Sequence, residues 1–277
     1  MVKKLFKHEF LYYIRSMLPI YSILLAIAAV GRVIQFFEAD NTLYNTLNIV
    51  SILSYVFAII AVYVMTLVFT IVRYYRNLFT SEGYLSFTLP VTPTQHILTK
   101  LSTAVIVHVT SLIVAFISLC IITAGDVFTE VIKALSYLVD KLPANLALLF
   151  EETTAKQWQA NIPLFVLEFL LLMLAATIYL MLLYYTCITV GQMFNKNRVL
   201  AAVGVYFGYY LATQAVGTVL VIVSQFLPWE TFAEIFYTAP LGTIHTLSIS
   251  YILLNLLIAT ALFFVSRYIV RHKLNLE

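Results

Sequence analysis

Two ionisable side chains sit at positions where a charge is costly and therefore informative. Glu168 lies about two turns into one long apolar run and His108 about two turns into another. An isolated charge at the bilayer centre costs at least about 2.5 to 3.5 kcal/mol, so an ionisable group at depth calls for a reason. For Glu168 the alternatives are a carboxyl that handles substrate or gates its path, and one that is protonated or hydrogen-bonded in a helix bundle. His108 has no identifiable partner and reads as a satisfied structural histidine ahead of a functional one. Stronger chemical constellations are missing. The chain has no G-x-x-x-x-G-K-[ST] phosphate loop, no H-E-x-x-H, no G-x-S-x-G and no cysteines at zinc spacing. Cys120 and Cys187 fall near opposite ends of their apolar runs, which indicates neither a disulfide nor a metal site. Catalysis by this chain is not expected, nor is a metal or cofactor bound to it. Gly204 and Gly208 form a G-x-x-x-G, with Gln214 and Gly217 further along, and serve either packing within the chain or a dimer contact.

The elements that carry these residues are set by hydrophobicity. Of the 277 residues 62% are hydrophobic and 10% charged, against roughly 25% charged in a soluble domain. Crossing about 30 Å of hydrocarbon takes about 20 mostly apolar residues. Such runs occur at 17–37, 47–72, 101–124, 162–190, 199–227 and 247–266. The fold expected is an all-α integral membrane domain of six transmembrane helices, a single domain over 1–277. A cleaved signal peptide is disfavoured because Glu9 and Arg15 interrupt the basic flank and the first apolar run is too long.

Lysine and arginine placement orients the chain. With the N-terminus inside, the inner segments hold Lys3, Lys4, Lys7, Arg15, Arg73, Arg76, Lys100, Lys196, Arg198, Arg267, Arg271 and Lys273, twelve of the sixteen basic residues. Arg32, Lys133, Lys141 and Lys156 remain outside, Arg32 snorkelling from the end of the first span. Both termini are then cytoplasmic, in a multi-pass protein of a cell membrane. Basic residues flanking spans face anionic lipid, and nucleic acid is not an expected partner.

Between the spans, residues 1–16 read as an amphipathic interface helix, with Leu5, Phe6, Phe10, Tyr13 and Ile14 on one side and Lys3, Lys4, Lys7 and His8 largely on the other. The cytoplasmic segment 73–100 is too long for a turn. Gly83 supplies a flexible point there, and Pro90 and Pro93 end regular structure. Leu78, Phe79, Tyr84, Leu85 and Phe87 present apolar side chains on that side, either to a protein partner or to the headgroup belt. The outer connection 125–161 allows a short helix around Val131, Ile132, Leu135 and Leu138. The segment 228–242 is apolar, bracketed by Pro228 and Pro240, and suits a short outer helical element.

The string Arg76-Asn-Leu-Phe-Thr-Ser-Glu-Gly-Tyr-Leu-Ser-Phe-Thr-Leu-Pro-Val91 closely resembles a stretch in permease subunits of type 2 ATP-binding-cassette (ABC) exporters of Gram-positive bacteria, and the layout of the whole chain is similar to theirs. The resemblance implies a half-transporter. A second permease copy or a paralogue would complete it, on cytosolic ABC ATPase subunits that hold ATP and Mg. It also implies that Asn77, Leu78, Phe79, Glu82 and Tyr84 form the coupling helix to the ATPase, with Glu82 available to a partner arginine. The connection 125–161 is longer than in the family's polysaccharide exporters, which disfavours a glycan and leaves an amphiphilic peptide, a drug or a lipid-like compound as cargo. Two other classes compete: a membrane scaffold or sensor that binds through 125–161, and an ATP-independent carrier, which would call for an internal repeat that is not evident.

Overall fold

The computed structural model describes residues 2–37, 41–88, 90–125, 129–130, 132–134, 136–137, 141, 152–194, 196–226 and 228–272. Within these the only regular structure is helical: α1 (Val2–Phe36), α2 (Thr42–Phe79), α3 (Ser81–Thr88), α4 (Pro93–Ile122), α5 (Glu152–Gly191), α6 (Arg198–Ser224), α7 (Trp229–Thr238) and α8 (Pro240–His272). Six helices are long and apolar enough to cross a membrane: α1, α2, α4, the Asn161–Gly191 part of α5, α6 and α8. The six expected runs are all found. Their helices reach further than the apolar runs do, because a helix keeps its backbone hydrogen bonds after its side chains turn polar.

Three differences from the sequence reading follow from that continuity. Residues 1–16 are not a separate element: α1 runs without a break from Val2 to Phe36 through Pro19. Membrane helices tolerate such a proline. The helix that carries the second apolar run does not stop near 72. At 1.5 Å per residue the 38 residues of α2 extend about 57 Å, well beyond the hydrocarbon thickness. Pro93 does not end structure but opens α4. Thr92 is extended and caps the helix, its hydroxyl accepting from Gln95 N–H at 3.4 Å while the Gln95 side chain accepts from Thr92 N–H at 3.0 Å. Much of the expected helix in 125–161, including Val131, Leu135 and Leu138, lies outside the described residues.

The chain divides into two compact units, 1–138 and 139–277. In the first, α1 packs on α2 and α4, and α2 on α3 and α4. Leu24, Ala28, Tyr55, Val62 and Ile122 form one apolar cluster, and Tyr13, Met17 and Val107 another. Hydroxyls join the three long helices: Tyr21 to Ser111 at 2.6 Å, Thr66 to Ser111 at 2.9 Å and Tyr55 to Ser118 at 3.1 Å. Such bonds each contribute on average about 0.6 kcal/mol between membrane helices. Gly31 lets α1 and α4 approach, since a Cβ there would meet Ile122 at 3.1 Å.

In the second unit α5 packs on α6 and α8, and α7 on α8. The α5–α8 seam buries Leu182, Tyr185, Ala259 and Ile269, with Thr186 bonded to Ser266 at 2.9 Å. Tyr179 and Tyr209 share a 2.7 Å hydrogen bond between α5 and α6. No residue of α6 is buried.

Candidate functional site

The densest polar site of the first unit lies around Glu9, which is 3% exposed. A carboxylate in that surrounding needs cations, and the fold supplies two. Lys100, on the second turn of α4, donates to Glu9 Oε1 at 2.9 Å and is itself buried. Arg73, from the far end of α2, donates through Nε to Oε2 at 3.1 Å and through Nη2 to Oε1 at 3.5 Å. The Arg73 guanidinium also lies 4.0 Å from the centre of the Tyr12 ring, a cation–π contact on the same end of α1. Glu82 of α3 completes the set, 3.5 Å from Arg73 Nη1 and 3.6 Å from Arg76 Nη2. The set thus joins two acids, Glu9 and Glu82, to three bases, Arg73, Arg76 and Lys100. Each pair crosses between elements, so α1, α2, α3 and α4 meet in one electrostatic joint.

The backbone around α3 is built for that joint. α2 ends at Thr80, which is extended, and α3 begins at once. Gly83 N–H donates to Thr80 O at 2.7 Å, and a Cβ on Gly83 would lie 2.5 Å from the Leu78 carbonyl oxygen. Gly83 is therefore a point of close approach and not the flexible point expected of it.

The five residues expected to couple to a partner are divided by this break. Asn77, Leu78 and Phe79 finish α2, whereas Glu82 and Tyr84 belong to α3. Leu78 and Phe79 are buried, not presented to the surface, and the Phe79 ring lies edge-on to Tyr74 at 5.8 Å. The physical reason is register. Val62, Thr66, Thr70, Tyr74 and Leu78 recur every four residues and continue the buried stripe of α2 past the end of its apolar run. Asn77 is half-buried, Glu82 is 42% exposed at its side chain, and the side chains of Tyr84, Leu85 and Phe87 lie outside the described residues.

The second unit holds its own buried pair. Glu168 Oε1 on α5 is 2.7 Å from His245 Nδ1 on α8, and the imidazole stacks on Phe165 with ring centres 4.5 Å apart. Among the described residues Glu168 Oε2 is buried without a hydrogen-bond partner. His108 falls in the first unit, where Nδ1 is 2.9 Å from Ala104 O of its own helix and Nε2 is buried without a partner. Gly204 and Gly208 face no atom within 4 Å of where a Cβ would stand, so they serve no packing among the described residues.

Glu9, Lys100 and His245 were not singled out from the sequence as site residues. The signal for Glu9 was present: it lies four residues from both Leu5 and Tyr13, on the apolar stripe of its helix, where a carboxylate demands a partner. His245 lies two residues before the apolar run that begins at 247 and so read as loop. Among the described residues no group of histidine, cysteine and carboxylate side chains is arranged to hold a metal ion. Comparison with known proteins finds no family model, no curated protein and no solved structure that matches the chain.

Proposed function

We propose that this chain is the membrane-spanning permease subunit of an ABC exporter, driven by ATP hydrolysis on separate cytosolic ATPase subunits and completed by a second permease copy or a paralogue. The observation that supports this reading best is the joint at α3. A short helix beyond the apolar part of α2 is tied through Glu82 to Arg73 and Arg76, and through Arg73 to Glu9 and Lys100. Displacement of α3 by a docked partner would load three long helices at once, which is what a machine driven from outside its membrane domain requires. The resemblance of segment 76–91 to type 2 exporter permeases points the same way, and the reading is consistent with a sequence that has no phosphate loop. On this reading the end carrying Glu9 and α3 is cytoplasmic, and the cargo is an amphiphilic peptide, a drug or a lipid-like compound moved by alternating access.

The test is affinity purification of the chain from its native membrane in mild detergent, with mass spectrometry for a stoichiometric ATPase. Recovery of one supports the reading. An intact, folded chain that brings none down refutes it and favours the scaffold or sensor.

A further inference from the structure

We infer that a cavity at the other end of the first unit binds the head group of a glycerophospholipid that carries a hydrogen-bond donor beside its phosphate. The cavity measures about 840 Å³ and is enclosed by the last turns of α1, the first turns of α2 and the end of α4. That volume is within the range of small-molecule sites. The inference does not depend on the exporter reading, since it concerns only what this chain binds.

The chemistry of the lining changes with depth. Tyr44, Asn48, Ile52 and Val56 follow one another at four-residue spacing down one face of α2, so they form a column about 18 Å long, polar at the helix end and apolar below. Arg32 and Gln35 stand at the polar end, Leu119 and Ile122 along the apolar wall. Ile52, Val56 and Leu119 are each at least 45% exposed, so the apolar part is open to acyl chains. An amphiphile is the ligand class whose own polarity runs in the same direction.

The polar end is incomplete in a way that defines the head group. Arg32 makes no ion pair or hydrogen bond among the described residues, although its guanidinium offers five donors suited to a phosphate. Among the described residues Gln35 Oε1 and Asn48 Oδ1 are buried acceptors without a partner in the same cavity. A phosphate answers Arg32, and a hydroxyl or ammonium answers the two amide oxygens. Gly125 keeps the seat open: its φ is +97°, and a Cβ there would overlap Arg32 Nη2.

The full chain, purified and stripped of lipid, would be titrated by native mass spectrometry with four probes. These are phosphatidylglycerol, phosphatidylethanolamine and phosphatidylcholine of identical acyl chains, and glycerol 1-phosphate. Phosphatidylglycerol should bind at least about tenfold more tightly than phosphatidylcholine, whose head group has no donor, the difference expected when a donor satisfies a buried acceptor at about 1 to 3 kcal/mol. Phosphatidylethanolamine should rank above phosphatidylcholine. Arg32→Gln should weaken phosphatidylglycerol by about tenfold. Ile52→Trp, which fills the apolar wall and leaves every polar group in place, should also weaken it and serves if Arg32→Gln does not fold. Equal binding of the three lipids, or unchanged affinity in the folded variants, overturns the proposal. Competition by glycerol 1-phosphate at equal concentration overturns it in favour of a free phosphate ester.

Discussion

Replacing Glu9 by Gln removes one negative charge and almost no volume, and the structure makes its cost large. Lys100 is buried, with a side chain 4% exposed, and Glu9 is its ion-pair partner among the described residues. Arg73 keeps Glu82 after the change, at 3.5 Å. The penalty therefore falls on Lys100, a buried cation that loses its 2.9 Å carboxylate contact and faces an amide instead. Removing one member of a buried pair costs about 3 to 5 kcal/mol, because the remaining charge loses the carboxylate that offset its desolvation. Were the contact only a hydrogen bond between helices, the loss would stay below about 1.7 kcal/mol. Even at their nearest limits the two accounts differ by nearly a factor of ten in the unfolding equilibrium.

The assay is reversible unfolding of the purified chain in mixed micelles, followed by circular dichroism, for wild type, Glu9→Gln, Lys100→Met and the double variant. The charge account expects each single variant to lose about 3 to 5 kcal/mol and the double variant to recover most of it, since replacing a whole buried pair by neutral groups is often nearly free. A loss under about 1 kcal/mol for Glu9→Gln, or a double variant at the sum of the two single losses, would refute the reasoning and reduce the joint to incidental neighbours.

Further expectations follow from the same geometry. Gly83→Ala should place a methyl group against the Leu78 carbonyl and detach α3 from α2, read as faster protease cleavage in 80–92 at unchanged helix content; wild-type cleavage would contradict the close approach. Glu82→Arg should set three cations together on α3 and α2 and uncouple transport from ATP hydrolysis while the chain still inserts; normal export would remove the ground for the joint's role. Glu168→Gln keeps a hydrogen bond to His245 but cannot exchange a proton with it, and should alter substrate handling without changing ATPase docking; transport identical to wild type across pH would confine the carboxyl to packing. Thr92→Ala should remove the α4 cap at about 1 kcal/mol in the micelle assay, an effect absent if the capping box is not formed.

Why the six spans were legible and the sites were not has a physical reason. A run of about 20 apolar residues is a signal summed over the whole run, so α1, α2, α4, α5, α6 and α8 stood out despite uncertain ends. Each site rests on a single residue beyond such a run or at its edge. Leu78 looked exposed because hydropathy falls after Val72, yet burial on α2 follows the four-residue register through Tyr74 and does not stop where hydropathy does. His245 falls within the seven residues by which α8, starting at Pro240, precedes its apolar run at 247, so the partner of Glu168 was not legible, although Glu168 itself is marked by its depth.

Glu9 carries the argument furthest. Read along the chain it is one acid among lysines, and positive charge was counted there only to orient the protein. Read on the helix, it is an acid on the apolar stripe, and a buried acid requires cations from elements distant in sequence. Arg73 and Lys100, counted toward orientation in the sequence, are also the ones that pair with Glu9. Basic residues near span ends can thus set topology during insertion and bind the helices to one another afterwards. Exchanging Lys100 with Glu9 separates the two roles: the pair is kept in reverse, while the local charge seen by the insertion machinery on each segment is inverted. Altered topology would assign Lys100 chiefly to orientation, and retained folding at unchanged topology would assign it to the joint.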